Sequence, residues 1–206
     1  MISRARRAKK VQPASMQFPD RLRLPLRFDG DRLAADLQRL SLPWIDHFVK
    51  QNYDGNWSVI PLRAKADARH PIQMIYSDPT ATAFADTPML DECAYFRAVL
   101  DTFECPLRAV RLMRLTPGSV IKEHTDLDLS FEDGCVRIHV PVVTNDRVEF
   151  YLNHSRVVLE AGSAWYLRLS DPHSVVNRGD SDRVHLVIDA SVNPWVEATF
   201  AAAAGA

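Results

Sequence analysis

Four side chains in the second half of the sequence have the types and the order needed to hold a metal ion and an anion. His124, Asp126 and His173 supply two imidazoles and one carboxylate. This is the donor set of a facial triad, which leaves coordination positions open on iron(II) for a co-substrate and oxygen. Arg183 follows ten residues after His173, and a guanidinium can hold a carboxylate through two parallel hydrogen bonds. If the four side chains converge, they predict an iron(II), 2-oxoglutarate-dependent oxygenase.

Each of these residues also has a simpler interpretation. A His-x-Asp pair is common by chance, and a surface pair at a strand end would explain His124 and Asp126. His173 follows a proline in a turn sequence, where a histidine is usually solvated, and Arg183 alone would be an exposed strand residue. Order and spacing favour the metal site, because residues two apart on an extended chain point to the same face.

A strong turn signal lies between the second histidine and the arginine. Residues 177–182 read Asn-Arg-Gly-Asp-Ser-Asp, which predicts a hairpin. Such a hairpin would return Arg183 alongside the strand that begins after His173. The guanidinium would then reach the same pocket as the metal.

Short aliphatic runs separated by polar turns fill the sequence from residue 110 onward. They predict strands over 110–115, 119–123, 135–144, 148–152, 156–159, 164–169, 174–177 and 183–191. Eight short strands in two sheets are typical of the jelly-roll or cupin arrangement. The predicted fold is therefore mainly β with flanking helices, a double-stranded β-helix.

Two of these strands alternate in a way that allows two interpretations. Arg137 and His139 share one face of their strand, and Arg183 and His185 share a face with Asp189. Valine, leucine and isoleucine occupy the reverse faces. The polar faces either point to solvent or line an inner cavity that holds an anion and a metal. Alternation alone does not decide between them.

The sequence from residue 108 to residue 191 resembles the aspartyl/asparaginyl β-hydroxylase family of 2-oxoglutarate dioxygenases. The matching motifs are LTPGSVIKEHTD (115–126), VRIHVP (136–141), GSAWY (162–166), His173 and RVHL (183–186), with YDGNWSVIPL (53–62) upstream. The resemblance extends over most of residues 28–195. It implies an enzyme that uses Fe(II) and 2-oxoglutarate with oxygen to hydroxylate an unactivated carbon of an amino acid or peptide side chain, releasing succinate and carbon dioxide.

The resemblance also implies a role for each matching residue. His124 and His173 match the iron-binding histidines of the family, and Arg183 matches the arginine that pairs with the distal carboxylate of 2-oxoglutarate. Arg137 and His139 match an Arg-x-His pair that lies against the 2-oxoglutarate.

Asp126 separates this sequence from the mammalian-type members, which lack that carboxylate. An intact His-x-Asp…His triad is similar instead to the bacterial members that hydroxylate free proline and related amino acids. The expected ligand set is therefore His124, Asp126 and His173, and hydroxylation is the expected reaction. The alternative is a non-catalytic cupin-type protein that binds a metal or a small acid.

Composition limits the partners. A net charge of −1 argues against general nucleic-acid binding, and no run of about 18 apolar residues predicts a membrane span. Three cysteines without metal-ligand spacing predict reduced thiols in a cytoplasmic protein. With no further domain after residue 200, we expect a small amino-acid-like or peptide substrate. Basic residues Arg63, Lys65 and Arg69 would either attract its carboxylate or form a solvated loop. The sequence gives no signal for an oligomeric state.

The predicted organisation is a basic, disordered tail over residues 1–20 and a single dioxygenase domain over 21–200. The tail carries five basic residues and no acid within its first ten positions; the alternatives to a solvated tail are an acidic partner or an organelle transit peptide. Within the domain we expect a helical part to about residue 105, with helices over 31–40, 44–50 and 87–103. The jelly-roll core is expected over about 106–195.

Overall fold

The structure is a computed structural model that describes residues 17–40, 43–78 and 80–205. Its strands are β1 (Arg21–Arg27), β2 (Ile45–Asp46), β3 (Tyr53–Asp54), β4 (Trp57–Lys65), β5 (Phe84–Asp86), β6 (Leu107–Leu115), β7 (Val120–His124), β8 (Cys135–Val143), β9 (Val148–Leu152), β10 (Ser155–Val157), β11 (Ser163–Leu167), β12 (His173–Asn177) and β13 (Arg183–Ser191). Its α-helices are α1 (Gly30–Arg39), α2 (Pro71–Ile75), α3 (Pro88–Asp91), α4 (Ala94–Leu100) and α5 (Pro194–Ala204), and a 3-10 helix spans Lys50–Asn52.

The strands form two antiparallel sheets that face each other. The larger sheet has the order β1-β11-β8-β13-β6-β4-β2, with β5 paired to β4, and the smaller has the order β10-β9-β12-β7-β3. Most neighbouring strands are not consecutive in sequence, as in β11-β8-β13-β6, which is the connectivity of a jelly roll rather than a meander. The predicted double-stranded β-helix is confirmed.

Two apolar cores fill the molecule. One lies between the two sheets and includes Met113, Ile121, Phe150 and Val175. The other lies on the outer face of the larger sheet, where strand residues pack against α1, α4 and α5. The central strands β8 and β13 of the larger sheet are therefore buried on both faces, and nearly all of their polar residues are shielded from solvent.

Five strands precede residue 105, so the expectation of a helical N-terminal part is wrong in this respect. The longest of them, β4, contains Pro61, which argues against a central strand because proline donates no ladder hydrogen bond. The structure tolerates Pro61 because the pairing of β4 with β6 shifts register between Pro61 and Arg63. The sequence pattern alone therefore does not predict this strand.

The helix predictions have mixed outcomes. The first helix begins as expected, since the carboxylate of Asp29 accepts from the backbone N–H groups of Asp31 and Arg32. The helix predicted over 44–50 is absent; this segment holds β2 and leads into the 3-10 helix. The helix predicted over 87–103 is divided into α3 and α4. The last helix, α5, was not predicted.

The packed part of the chain begins three residues before the predicted boundary at residue 21. The Phe18 side chain is 8% exposed and packs edge-on against Phe131 and Phe200. At the other end, α5 continues to Ala204. The basic residues of the predicted tail lie outside the described residues. Within the part of the chain that the structure describes, no helix has the length and apolar character needed to cross a membrane.

Candidate metal centre and active-site cavity

The two histidines predicted to bind iron lie opposite each other on neighbouring strands. His124 ends β7, His173 begins β12, and the two are direct partners in the antiparallel pairing. Their ring centroids are 4.3 Å apart. The Nδ1 atoms lie 2.8 Å from the carbonyl oxygen of Lys122 and 3.0 Å from that of Asp171, respectively. Since a carbonyl oxygen only accepts, each Nδ1 donates and each Nε2 keeps its lone pair for a metal.

Asp126 reaches the same point from the loop after β7. Its backbone N–H donates to the carbonyl oxygen of Leu169 at 2.8 Å, which fixes the loop. One carboxylate oxygen, Oδ1, is 3.6 Å from Nε2 of His124. The other, Oδ2, accepts from Nη1 of Arg137 at 2.6 Å. Asp126 is therefore oriented through one oxygen, and the other is available as a ligand.

The donor atoms of this cluster fit a single metal ion. One ligand atom from each of His124, Asp126 and His173 lies within 4.8 Å of the other two. Bonds of about 2.0–2.2 Å to a shared ion place such atoms roughly 3–4 Å apart, so small side-chain movements close the site. Burial lowers the pKa of His173 to about 4, which keeps this imidazole neutral at pH 7, as a ligand must be. Two imidazoles and one carboxylate suit non-haem iron.

Arg183 is a buried cation with no acidic partner among the described residues. Its side chain is 3% exposed, and Nη2 donates to Nδ1 of His185 at 2.9 Å. The Nε atom is buried without a hydrogen-bond partner, and burial lowers the pKa of the guanidinium to about 9. A buried charge that only neutral groups contact is costly. Arg183 is thus suited to receive a carboxylate from a ligand.

His139 and His185 form a neutral pair beside Arg183. Their Nδ1 atoms are 3.2 Å apart. Because Nδ1 of His185 accepts from Arg183, Nδ1 of His139 must donate to it. Nε2 of His139 is then a buried acceptor without a partner in the described part of the chain. Burial, reinforced by the charge of Arg183, lowers the pKa of both histidines well below its ordinary value.

A buried charge network, which the sequence analysis did not identify, holds Arg137. Asp189 is 0% exposed and accepts from Nε and Nη2 of Arg137 at 2.6 and 3.0 Å. Arg111 also donates to Asp189, as does the hydroxyl of Ser77 at 2.9 Å. Burial alone would raise the pKa of Asp189, but the charges of the two arginines and the hydrogen bonds hold it well below its ordinary value.

Arg137 therefore links the network to the metal centre through Asp126. Three of its nitrogens donate to Asp189 and Asp126, so only part of the guanidinium remains for another ligand. Its contact with the cosubstrate stays a prediction, as does that of His139. Arg111 and Asp189 both lie on predicted strands, but nothing local in the sequence marks them as partners, because both strands carry other charged or polar residues.

All six residues predicted for the site line one cavity of about 360 Å³: His124, Asp126, Arg137, His139, His173 and Arg183. The polar faces of β8 and β13 thus point inward, which settles the choice that alternation left open. The basic residues Arg63, Lys65 and Arg69 do not line the cavity. Two of them form ion pairs elsewhere, Arg63 with Asp86 at 2.6 Å and Lys65 with Asp78 at 3.2 Å.

One wall of the cavity is aromatic. The rings of His47 and Trp57 are stacked, with centroids 3.6 Å apart and an interplanar angle of 11°, and both residues line the cavity. Burial, together with the charge of Arg111, lowers the pKa of His47 to about 3. This wall is therefore uncharged at pH 7, in contrast to the arginines and acids deeper in the site.

Known proteins with similar sequences include two proline hydroxylases. The chain is 25% identical over 174 residues to the L-proline cis-4-hydroxylase of Rhizobium meliloti (strain 1021), a match that covers 84% of this chain and 61% of that protein. It is 26% identical over 170 residues to the L-proline cis-3-hydroxylase 2 of Streptomyces sp, a match that covers 80% of this chain and 57% of that protein. The chain thus spans about three fifths of the length of the curated relatives that it matches.

Solved structures and family membership agree with the fold. An oxidoreductase of the 2OG-Fe(II) oxygenase family from Burkholderia pseudomallei superposes with a TM-score of 0.55 at 17% identity, over 84% of this chain and 85% of that one. At this identity the likeness shows the fold alone. The sequence profile described as aspartyl/asparaginyl beta-hydroxylase matches residues 28–192. The chain belongs to the aspartyl/asparaginyl β-hydroxylase family.

Proposed function

We propose that the protein is an Fe(II)- and 2-oxoglutarate-dependent dioxygenase that hydroxylates an unactivated carbon of an amino acid or a peptide side chain, with release of succinate and carbon dioxide. The observation that carries the proposal is the position of Arg183. This buried guanidinium, which has no acidic partner among the described residues, lies in the same cavity as the His124, Asp126 and His173 cluster. The names of the relatives, both L-proline hydroxylases, support an amino-acid substrate.

In this proposal each residue has a separate task. His124 and His173 offer Nε2 atoms and Asp126 offers Oδ1, so three protein ligands would hold the iron and leave its other positions open. When bound, iron(II) and 2-oxoglutarate would supply the electrons that activate oxygen for oxidation of the substrate carbon. Arg183 would hold the distal carboxylate of 2-oxoglutarate through charge-assisted hydrogen bonds.

The remaining residues control geometry and water. Arg137 orients the carboxylate of Asp126 and is itself held by Asp189. The pair of His139 and His185 shields Arg183 on its buried side with neutral rings. The stacked wall of His47 and Trp57 excludes water from one side of the cavity. Such a dry, preorganised site strengthens the electrostatic contacts within it.

The proposal is tested by measuring succinate from 2-oxoglutarate with Fe(II) and oxygen, in the presence of free amino acids, N-acylated amino acids and short peptides. We expect His173→Ala to abolish succinate formation, whereas His154→Ala, at a histidine whose side chain is 77% exposed, leaves it unchanged. Arg183→Met should weaken 2-oxoglutarate binding by at least about 100-fold, because two charge-assisted hydrogen bonds of about 1.5–3 kcal/mol each are lost.

Two outcomes would contradict the proposal. Full succinate formation by His173→Ala would remove the assigned ligand set. Binding of 2-oxoglutarate by wild type without any succinate, across the whole panel, would favour the alternative of a binding protein without turnover. A cytoplasmic location stays a prediction from the three cysteines.

A further inference from the structure

Large apolar side chains that are exposed cluster at the mouth of the cavity. Across the described residues, five such side chains are exposed: Phe48, Ile72, Tyr76, Leu127 and Val158. Three of the five, which we call the apolar rim, also line the active-site cavity: Phe48, Tyr76 and Leu127. A single exposed apolar residue needs no explanation, but a contiguous group beside a binding cavity marks an interaction site.

The rim is built from three separate parts of the chain: the segment before the 3-10 helix, the end of α2 and the loop after β7. Phe48 stacks on His47 with ring centroids 4.9 Å apart, and Tyr76 meets Phe48 edge-on at 5.7 Å. Leu127 is 86% exposed and directly follows the candidate metal ligand Asp126. The next residue, Asp128, has a φ of +57°, a left-handed conformation that is uncommon for residues other than glycine. The loop therefore turns at this point and leaves Leu127 outside the core.

The interior and the mouth of the cavity have opposite chemical character. Inside, the walls carry the guanidinium groups of Arg111, Arg137 and Arg183. Outside, the rim offers aromatic and aliphatic surface to solvent. A free amino acid that fits inside would leave the rim exposed. A longer molecule, with its polar end inside and an apolar extension outside, would satisfy both regions.

We propose that the substrate carries an apolar arm of several carbons, which packs on Phe48, Tyr76 and Leu127 while the carbon to be oxidised lies inside the cavity. This inference rests on the proposed function and specifies its substrate class. The occupant of the rim is the substrate itself, because the rim is continuous with the lining of the cavity.

The test is a binding series in which only the arm changes. Free L-proline, N-acetyl-, N-butanoyl- and N-hexanoyl-L-proline, and the same acyl series on L-leucine, are titrated by calorimetry without oxygen into protein that holds Fe(II) and 2-oxoglutarate. Each added methylene group that becomes buried on the rim should raise affinity about two- to fourfold. N-hexanoyl compounds should therefore bind at least about tenfold more tightly than N-acetyl compounds.

Variants at the rim give the decisive comparison. Leu127→Ser removes an exposed side chain that contributes nothing to the core, and Phe48→Ser removes aromatic surface. Both should reduce the advantage of the hexanoyl over the acetyl compound, with little effect on 2-oxoglutarate affinity. The matched control is Val158→Ser, at an exposed apolar residue outside this cavity, which should keep the full advantage.

Three results would overturn the inference. The first is that the protein binds all compounds of both series with equal affinity, or binds none of them. The second is an affinity that rises with arm length equally in wild type, Leu127→Ser and Phe48→Ser. The third is a concentration-dependent dimer of the wild type, seen by light scattering, that the rim variants dissociate. A separate titration of 2-oxoglutarate into the Fe(II)-loaded protein distinguishes a failure of this inference from a failure of the proposed function. If 2-oxoglutarate binds but the arm has no effect, only the inference about the arm is wrong.

Discussion

Replacing Asp189 by asparagine tests directly how the buried site is held together. The change preserves shape but removes the carboxylate charge that lies between Arg111 and Arg137. Breaking one side of a buried ion pair typically costs about 3–5 kcal/mol. Because Arg137 keeps Asp126 as a second partner, we expect a loss near the lower limit, about 3 kcal/mol. That is a large fraction of the roughly 5–15 kcal/mol that stabilises an ordinary domain.

The assay is urea denaturation at pH 7, followed by circular dichroism. Asp182→Asn is the control, since its ion pair with Arg114 is long, at 3.8 Å, and partly exposed; its effect should be under about 0.5 kcal/mol. Should Asp189→Asn not fold, the double variant with Arg111→Met should recover a folded protein, because both buried charges are then removed. A loss below about 1 kcal/mol for Asp189→Asn would refute the reasoning.

The pH dependence of this effect has a definite sign. The folded-state pKa of Asp189 is depressed, so its contribution to stability is fully present above the unfolded pKa of about 3.9. It is lost as the pH falls towards the folded value. The difference in unfolding free energy between wild type and Asp189→Asn should therefore shrink below about pH 4.

Three further predictions concern stability. Gly162→Ala should destabilise more than Gly118→Ala in urea denaturation, because both glycines have φ near +75° but only at Gly162 would a Cβ lie 2.1 Å from a backbone oxygen; equal effects would contradict the clash. Without metal, stability should fall by about 2 kcal/mol between pH 7 and pH 5 for each of His139 and His185, since their depressed folded pKa values mean that only the unfolded state is readily protonated; His185→Gln should remove its share, and a flat profile would be inconsistent with neutral burial. Manganese(II) or iron(II) at about 100 times its dissociation constant should stabilise wild type by about 2.7 kcal/mol, with no rise in the melting temperature of His173→Ala.

Much of the barrel could be predicted because its strands carry local signals. The strand predicted over 183–191 coincides with β13, and that over 148–152 coincides with β9. The pair of His124 and Asp126 is recognisable because a spacing of two residues is a short-range pattern, whereas His173, 49 residues after His124, is identified by its order in the sequence. The convergence of β7 and β12 on one point is a tertiary property, which order, spacing and resemblance together suggest but the structure alone describes.

Other features had no readable local signal. In β4, Pro61 interrupts the pattern, and only the register shift against β6 explains why it is tolerated. No helix is predicted after the last strand, although α5 forms there and Phe200, which is 1% exposed, anchors it in the core. Asp189 and Arg111 could be read as strand residues but not as partners, because 78 residues separate them.

The backbone contacts of the two histidines have a consequence for how this site can diversify. Each imidazole donates through Nδ1 to the carbonyl group two residues before it, at Lys122 and Asp171, so this hydrogen bond depends on the local backbone and not on a side chain elsewhere in the barrel. The hydrogen bonds that orient the two imidazoles are thus local to their own segments of the chain. Substitutions at the mouth of the cavity leave these two hydrogen bonds in place. Asp126 is different, since its orientation depends on Arg137 from the opposite sheet. Selection for new substrates can therefore change residues at the mouth of the cavity without loss of these hydrogen bonds. Substitutions around Asp126, in contrast, must preserve its hydrogen bond with Arg137 from the opposite sheet.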